Sequence, residues 1–419
     1  MSYYLFQENK ISNVLIVGFG KTGKSIYKFL SEFYSLNIQI SNNDTEFVKY
    51  ELLSFDMIAV SPGIPINKPP YNSLMLHEIK IVSDIDLYYD HLKSINSKTK
   101  LVAVTGSNGK STIVTMLNHV LTDLGYKSVL TGNIGESPLE SLNDKYDFCI
   151  IEISSFQIDL LSITRFDLGC ITNISPDHLD RYDSYDSYKK SKLNLDKFCH
   201  KMLIYDVDGS GYKYDSVYRV DGELLLKNEC EILRLSQTYL FGSHNLENII
   251  VTLGLFDILG VSIDKSILSI KQFKGLEHRC SLVGIVDGVT YINDSKGTNV
   301  GATKAALSSV TSSKNIIILL GGVAKGGDFT LMFDELSKFV KFAYIYGEDK
   351  MYIHKQICGV FDYVICNNMT DAMTLAHNKS QKNDIVLLSP ACASFDEFNS
   401  YTERGNVFEN FVNNQKNVK

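Results

Sequence analysis

Eight residues, Thr105-Gly-Ser-Asn-Gly-Lys-Ser-Thr112, join the apolar run Leu101–Val104 to a segment with helical patterning. That arrangement suits a phosphate chain. Backbone N–H groups at a helix start hold phosphate oxygens, Lys110 reaches the β- and γ-phosphates, and Ser111 offers a hydroxyl to Mg²⁺. The loop is not the standard version, because Val104 stands where the usual spacing wants its first glycine. A second pattern, Gly18-Phe-Gly20-Lys-Thr-Gly23, follows the apolar run Asn13–Val17 and fits a tight turn that brings a phosphate against a helix N-terminus. Such a turn pairs with a ribose-binding acid about 20 residues on. Asp44 is near that spacing but lies in the loop-like stretch Ser41–Glu46. Glu152 closes the apolar run Phe148–Glu152, where a metal-binding acid belongs. Further on come His178 and three crowded lysines, Lys189, Lys190 and Lys192.

These groups need rigid elements to hold them. Short apolar runs alternate with helix-length segments along the whole chain, which predicts an α/β protein built from parallel βαβ units. The 419 residues are too many for one ordinary domain. Polar stretches at Lys93–Lys100 and Lys271–Arg279 suggest three domains: a Rossmann-like domain over 1–97, a central phosphate-loop ATPase-type domain over 98–275, and a C-terminal Rossmann-like domain over 276–419. A net charge of −7 argues against a nucleic-acid partner, which calls for a basic surface. No apolar stretch approaches the length of about 18 residues that suggests a membrane span, and the N-terminus does not read as a signal peptide. The 8 cysteines form no C-x-x-C pair and sit mostly in apolar runs, so reduced thiols in a cytoplasmic protein are expected.

The sequence Thr-Gly-Ser-Asn-Gly-Lys-Ser-Thr resembles the phosphate loop of the Mur ligase family. Further segments occur in family order: Glu152–Gln157 (EISSFQ), Asn173–Tyr182 (NISPDHLDRY), His244–Asn248 (HNLEN), Glu277–Arg279 (EHR), Asn293–Asn299 (NDSKGTN) and Ser389–Phe398 (SPACASFDEF). Within the family, the SSFQ and SPACASFD segments look like the branch that adds D-glutamate. The resemblance implies a cytoplasmic, monomeric, ATP- and Mg²⁺-dependent enzyme of peptidoglycan precursor synthesis. It would convert the carboxylate of UDP-N-acetylmuramoyl-L-alanine into an acyl phosphate and pass it to the amine of D-glutamate.

The resemblance also implies roles. ATP would be held by Gly106, Ser107, Asn108, Gly109, Lys110, Ser111 and Thr112, with Asn248 at the adenine, Arg279 at the phosphates and Asp294 at the ribose. Two magnesium ions would be held by Ser111, Glu152, His178 and a carbamylated Lys192. Lys110, His178, Lys192 and Lys296 would serve catalysis. Gly18, Gly20 and Gly23, the segment near Ser41–Asn43, and Asn133 would bind the UDP-linked substrate. Thr298, Lys325, Ser394 and Tyr401 would bind D-glutamate; relatives often carry phenylalanine at the last position. Three other readings stay open on the residues: a family ligase for a different amino acid, a nicotinamide-dependent oxidoreductase built on Gly18–Gly23, and a non-catalytic ATP-gated module.

Overall fold

The computed structural model describes residues 3–76, 80–142, 145–174, 181–206, 218–240, 242 and 244–417. The chain divides into two compact units, one formed by Met1–Val217 with Asn248–Ile270, the other by Tyr218–Glu247 with Lys271–Lys419.

The first unit holds two parallel sheets. In the smaller, the strands run in the order Asn37–Ser41, Asn13–Val17, Met57–Val60, Lys80–Val82. The chain leaves Asn13–Val17 to one side and returns on the other, which opens a crevice at the carboxyl ends of those strands, the usual ligand position in such sheets. The larger sheet has the order Met202–Asp206, Leu168–Asn173, Lys100–Thr105, Phe148–Glu152, Ser128–Gly132. Its central strands are covered on both faces and so read as unbroken apolar runs instead of alternating ones. Val14, Ile16 and Tyr88 share one apolar core with Leu101, Ala103 and Ile151, so the two sheets are packed into a single body. A buried carboxylate reinforces that packing. Asp86 accepts hydrogen bonds from the backbone N–H groups of Ser162, Ile163 and Thr164 as well as from Ser83.

The second unit is built on a six-stranded sheet in the order Ser281–Val286, Val289–Asn293, Ile385–Leu388, Ile316–Gly321, Val340–Tyr346, Tyr363–Ile365. Only the first pair is antiparallel. A separate three-stranded antiparallel sheet, Tyr218–Asp221, Leu224–Lys227 and Cys230–Arg234, belongs to the same unit. No helix among the described residues is long and apolar enough to cross a membrane.

Candidate active site

In the first unit, the two glycine turns are shaped by their neighbours. Gly18 has a φ of +85°, its N–H donates to Ser41 O at 2.8 Å, and its own carbonyl accepts from Ser61 Oγ at 2.7 Å. A β-carbon on Gly23 would lie 2.0 Å from that same carbonyl oxygen, whereas one on Gly20 would meet nothing within 4 Å. Gly18 and Gly23 therefore serve the packing of helix Lys21–Phe33 on its strand. Gly20 faces open space at the helix start, which carries no side-chain cap. Asp44 is already taken by Tyr71, whose hydroxyl donates to Asp44 Oδ1 at 2.7 Å. Asn43 caps the short helix Asp44–Phe47.

The loop after Lys100–Thr105 is braced by the neighbouring strand end. Ser107 N donates to Asn173 O at 2.9 Å and Asn108 N to Asn173 Oδ1 at 2.8 Å, while Thr172 Oγ1 donates to Asn108 O at 2.7 Å. Gly106, at φ +147°, is crowded by Thr172: an added β-carbon would come within 1.9 Å of Oγ1. Gly109, at φ +82°, ends the loop and caps helix Lys110–Asp123; its β-carbon would be 2.4 Å from Asn248 Oδ1. Asn248 thus stands against the loop. Lys110 Nζ donates to Gly106 O at 2.7 Å and Ser107 O at 3.1 Å, which folds it over the loop. Ser111 is buried at the helix start and Thr112 is half-buried.

Glu152 ends its strand 2 % exposed. Its Oε1 accepts from Asn133 Nδ2 at 2.9 Å, and its Oε2 has no hydrogen-bond partner among the described residues. A buried carboxylate oxygen without a donor is costly unless a cation meets it. The donor set of Glu152 and Ser111 beside a phosphate loop therefore fits a hard divalent ion. Among the described residues, no group of three or more His, Cys, Asp or Glu could hold a metal unaided. His178 lies outside the described residues. Of the crowded lysines, Lys190 is exposed, Lys189 half-buried and Lys192 only 2 % exposed. Lys192 Nζ donates to Gly106 O at 3.0 Å and to Thr105 Oγ1 at 3.4 Å. Tyr188, on the same helix Tyr185–Leu193, shares a hydrogen bond with Ser107 at 3.1 Å.

In the second unit, Asp294 is buried where strand Val289–Asn293 ends. It accepts from Ser389 Oγ at 2.6 Å and from Cys280 N at 3.3 Å. Burial pushes its carboxyl up to about 7, against the opposing pull of Ser389. Lys296 Nζ sits 4.0 Å from the centre of the Tyr401 ring, and Thr298 is half-buried in the same loop. Ser394 is buried in the loop after Ile385–Leu388, a strand paired with Val289–Asn293. Lys325 is exposed at φ +51° in a glycine-rich turn, with its ammonium 6.0 Å from the Phe395 ring. Arg279 is exposed. Within this unit Asp294, Lys296 and Thr298 share one loop, and Ser394 lies on the loop of the adjoining strand.

Three contributors escape a reading of the sequence by residue type. Asn173 and Thr172 brace the phosphate loop; Asn173 opens the segment NISPDHLDRY and Thr172 immediately precedes it. Arg404 is fully buried and donates to Ser295 Oγ, Ser295 O and Cys392 O at 2.9–3.0 Å, tying the Asp294–Thr298 loop to the Ser394 loop. Nothing in its local sequence, Tyr-Thr-Glu-Arg-Gly, separates it from a surface arginine.

The family model for the Mur ligase middle domain matches residues 104–217, and that for the Mur ligase, glutamate ligase domain matches residues 278–392. The UDP-N-acetylmuramoylalanine–D-glutamate ligase of Francisella tularensis subsp. novicida is 57% identical over 412 residues, covering 98% of each chain. The protein of the same description from Francisella philomiragia is 56% identical over 412 residues, 98% of this chain and 99% of its own. Among solved structures, the UDP-N-acetylmuramate-alanine ligase of Thermotoga maritima aligns with a TM-score of 0.60 at 16% identity, over 97% of this chain and 100% of that one. The MurF ligase of Thermotoga maritima, solved in complex with ADP, aligns with a TM-score of 0.58 at 15% identity, over 99% and 97%. At such identities these two structures speak for the fold.

Proposed function

The chain belongs to the Mur ligase family, and from that premise we propose that it uses ATP to join D-glutamate to the carboxylate of UDP-N-acetylmuramoyl-L-alanine. The observation that carries this is the 57% identity to D-glutamate ligases along nearly the whole of both chains. A carboxylate resists attack by an amine because oxide and hydroxide are poor leaving groups. Transfer of the γ-phosphoryl group of ATP makes an acyl phosphate. The amine then adds to the carbonyl, and the tetrahedral intermediate expels phosphate to leave the amide. Catalysis of both steps is largely positioning and charge neutralisation.

In this reading the Gly106–Thr112 loop holds the phosphates through helix-start amides, and Lys110 leaves its two loop carbonyls to meet the β- and γ-oxygens. Asn248, standing against the loop, contacts the adenine; Arg279 and Asp294 serve the phosphates and the ribose. Ser111 and Glu152 would hold one magnesium ion, with His178 and Lys192 toward a second; bound there, the metal would neutralise phosphate charge. Lys192, buried and held by Gly106 and Thr105, is the residue to carry a carbamate. Gly20 and Asn133 receive the UDP-linked substrate, on a turn that Gly18 and Gly23 hold in shape. Thr298, Lys325 and Ser394 receive the carboxylates of D-glutamate, and Lys296 assists the acyl phosphate. Tyr401 contributes its ring beneath Lys296 in addition to any contact with the amino acid. The functional domains are 1–97, 98–275 and 276–419. We take the reaction to be cytoplasmic and the acting species to be a single chain.

The test is phosphate release from ATP with UDP-N-acetylmuramoyl-L-alanine and a panel of amino acids. Release is expected only with D-glutamate; release with L-lysine or diaminopimelate instead overturns the assignment. Lys110→Ala should lower turnover by about 10²–10³-fold, the range for loss of a charge-stabilising donor.

A further inference from the structure

Arg181 spreads its guanidinium over three consecutive carbonyls. Nη1 donates to Gly63 O at 2.8 Å, and Nη2 donates to Pro62 O at 3.1 Å and Ile64 O at 2.7 Å. The guanidinium lies 4.5 Å from the centre of the Phe156 ring, which in turn stacks on Tyr182 at 5.7 Å. The segment so held follows strand Met57–Val60 directly and backs the glycine turn. Ser61 Oγ bonds Gly18 O, and a β-carbon on Gly18 would come within 3.0 Å of both Ser61 and Ile64. On the other side, Tyr182 and Ser191 both donate to Asp159 at 2.7 Å, and Ser191 adjoins Lys192, which bonds Gly106 O. One arginine therefore links the support of the glycine turn to the support of the phosphate loop.

A cavity of about 340 Å³ lies beside the Pro62–Ile64 segment, and Ile64, Leu160, Phe156, Asp159, Arg181 and Tyr182 are among the residues that line it. Three carbonyls converging on one point repel one another unless a cation with several donors sits among them. A planar fork satisfies that demand; a lysine ammonium has neither the reach in two directions nor the stacking plane.

We propose that Arg181 is a positioning residue for the UDP-linked substrate, fixing the glycine turn through Pro62–Ile64 and Ser61 at the place from which the substrate's carboxylate reaches the phosphate loop. The inference rests on the functional reading above for the identity of that ligand. The test is calorimetric binding of UDP-N-acetylmuramoyl-L-alanine and, separately, ADP to the full chain as wild type, Arg181→Lys, Arg181→Met, Ser61→Ala and Arg181→Lys/Ser61→Ala. Each single variant should weaken the UDP-linked ligand on the order of tenfold while ADP binding stays within about twofold. The double variant should be no weaker than the worse single one, since both act through the same turn. Unchanged binding in Arg181→Lys, equal loss of both ligands, or simple additivity overturns the proposal. Should Arg181→Met fail to fold, Arg181→Lys and Ser61→Ala carry the test. Failure of the wild type to bind the UDP-linked ligand would instead count against the functional reading.

Discussion

Asp294 is a carboxyl that folding keeps protonated well above its ordinary range, because burial outweighs the hydrogen bond from Ser389. In the unfolded chain it ionises near 4, in the folded protein at about 7. Its contribution to stability is thus fully present below about pH 4 and is lost as pH rises to about 7, where the unfolded state has shed a proton that the folded state still holds. Asp294→Asn removes that loss. The variant should melt higher than wild type at pH 8, with the gap closing toward pH 5. Each tenfold change in proton affinity is worth roughly 1.4 kcal/mol, so the full effect is a few kcal/mol. A melting difference independent of pH would refute the account. Asp294 also shows what residue type and spacing convey. Its place in NDSKGTN marks it as a candidate; its protonation depends on burial among groups distant in sequence, Cys280 and Ser389. The lysines teach the same lesson, since Lys189, Lys190 and Lys192 differ little as letters and greatly in exposure.

At the scale of elements, the glycine turn makes a sharp prediction. Gly23→Ala puts a methyl into the Gly18 carbonyl, a backbone atom that can yield only if helix Lys21–Phe33 shifts. The cost should be about 1–3 kcal/mol, read as a lowered melting temperature. Gly20→Ala meets open space at an ordinary φ of −73° and should change stability by about 0.5 kcal/mol or less. It should nevertheless weaken the UDP-linked substrate by about tenfold or more, because the methyl stands where the ligand approaches. Equal melting losses in the two variants would reject this division of roles. Strands Asn13–Val17 and Met57–Val60 beside this turn are legible as apolar runs, for strands buried on both faces leave no alternation to obscure them. The strands of the 218–234 sheet were harder to see. They are short and partly exposed, although Gly222-Glu223 between the first two fits a two-residue hairpin turn with glycine first.

For the whole molecule, the two compact units do not follow one another along the chain. Residues 218–247 join the second unit, and 248–270 return to the first. Composition cannot foretell this return. Leu253, Leu255 and Phe256 are all fully buried, so the helix His244–Leu259 is apolar around its circumference and its neighbours are chosen by long-range packing. Helix Ile263–Ile270 then packs on the phosphate-loop helix Lys110–Asp123. A fragment ending at Val217 lacks both helices. It should lose the cooperative thermal transition of the intact chain, measured by circular dichroism, even though it retains both parallel sheets of its unit. A sharp transition in that fragment would show that the returning segment is dispensable.

The same crossing bears on heredity. A gene for a chain whose units are laid end to end can trade one of them through a single crossover. Here a recombination point at codon 218 or codon 271 splits a unit into pieces from two parents, and a point at codon 248 cuts a helix as well. Swapping one unit cleanly takes three coordinated breakpoints. Such a gene is expected to pass between lineages whole or not at all, so its halves should share one ancestry.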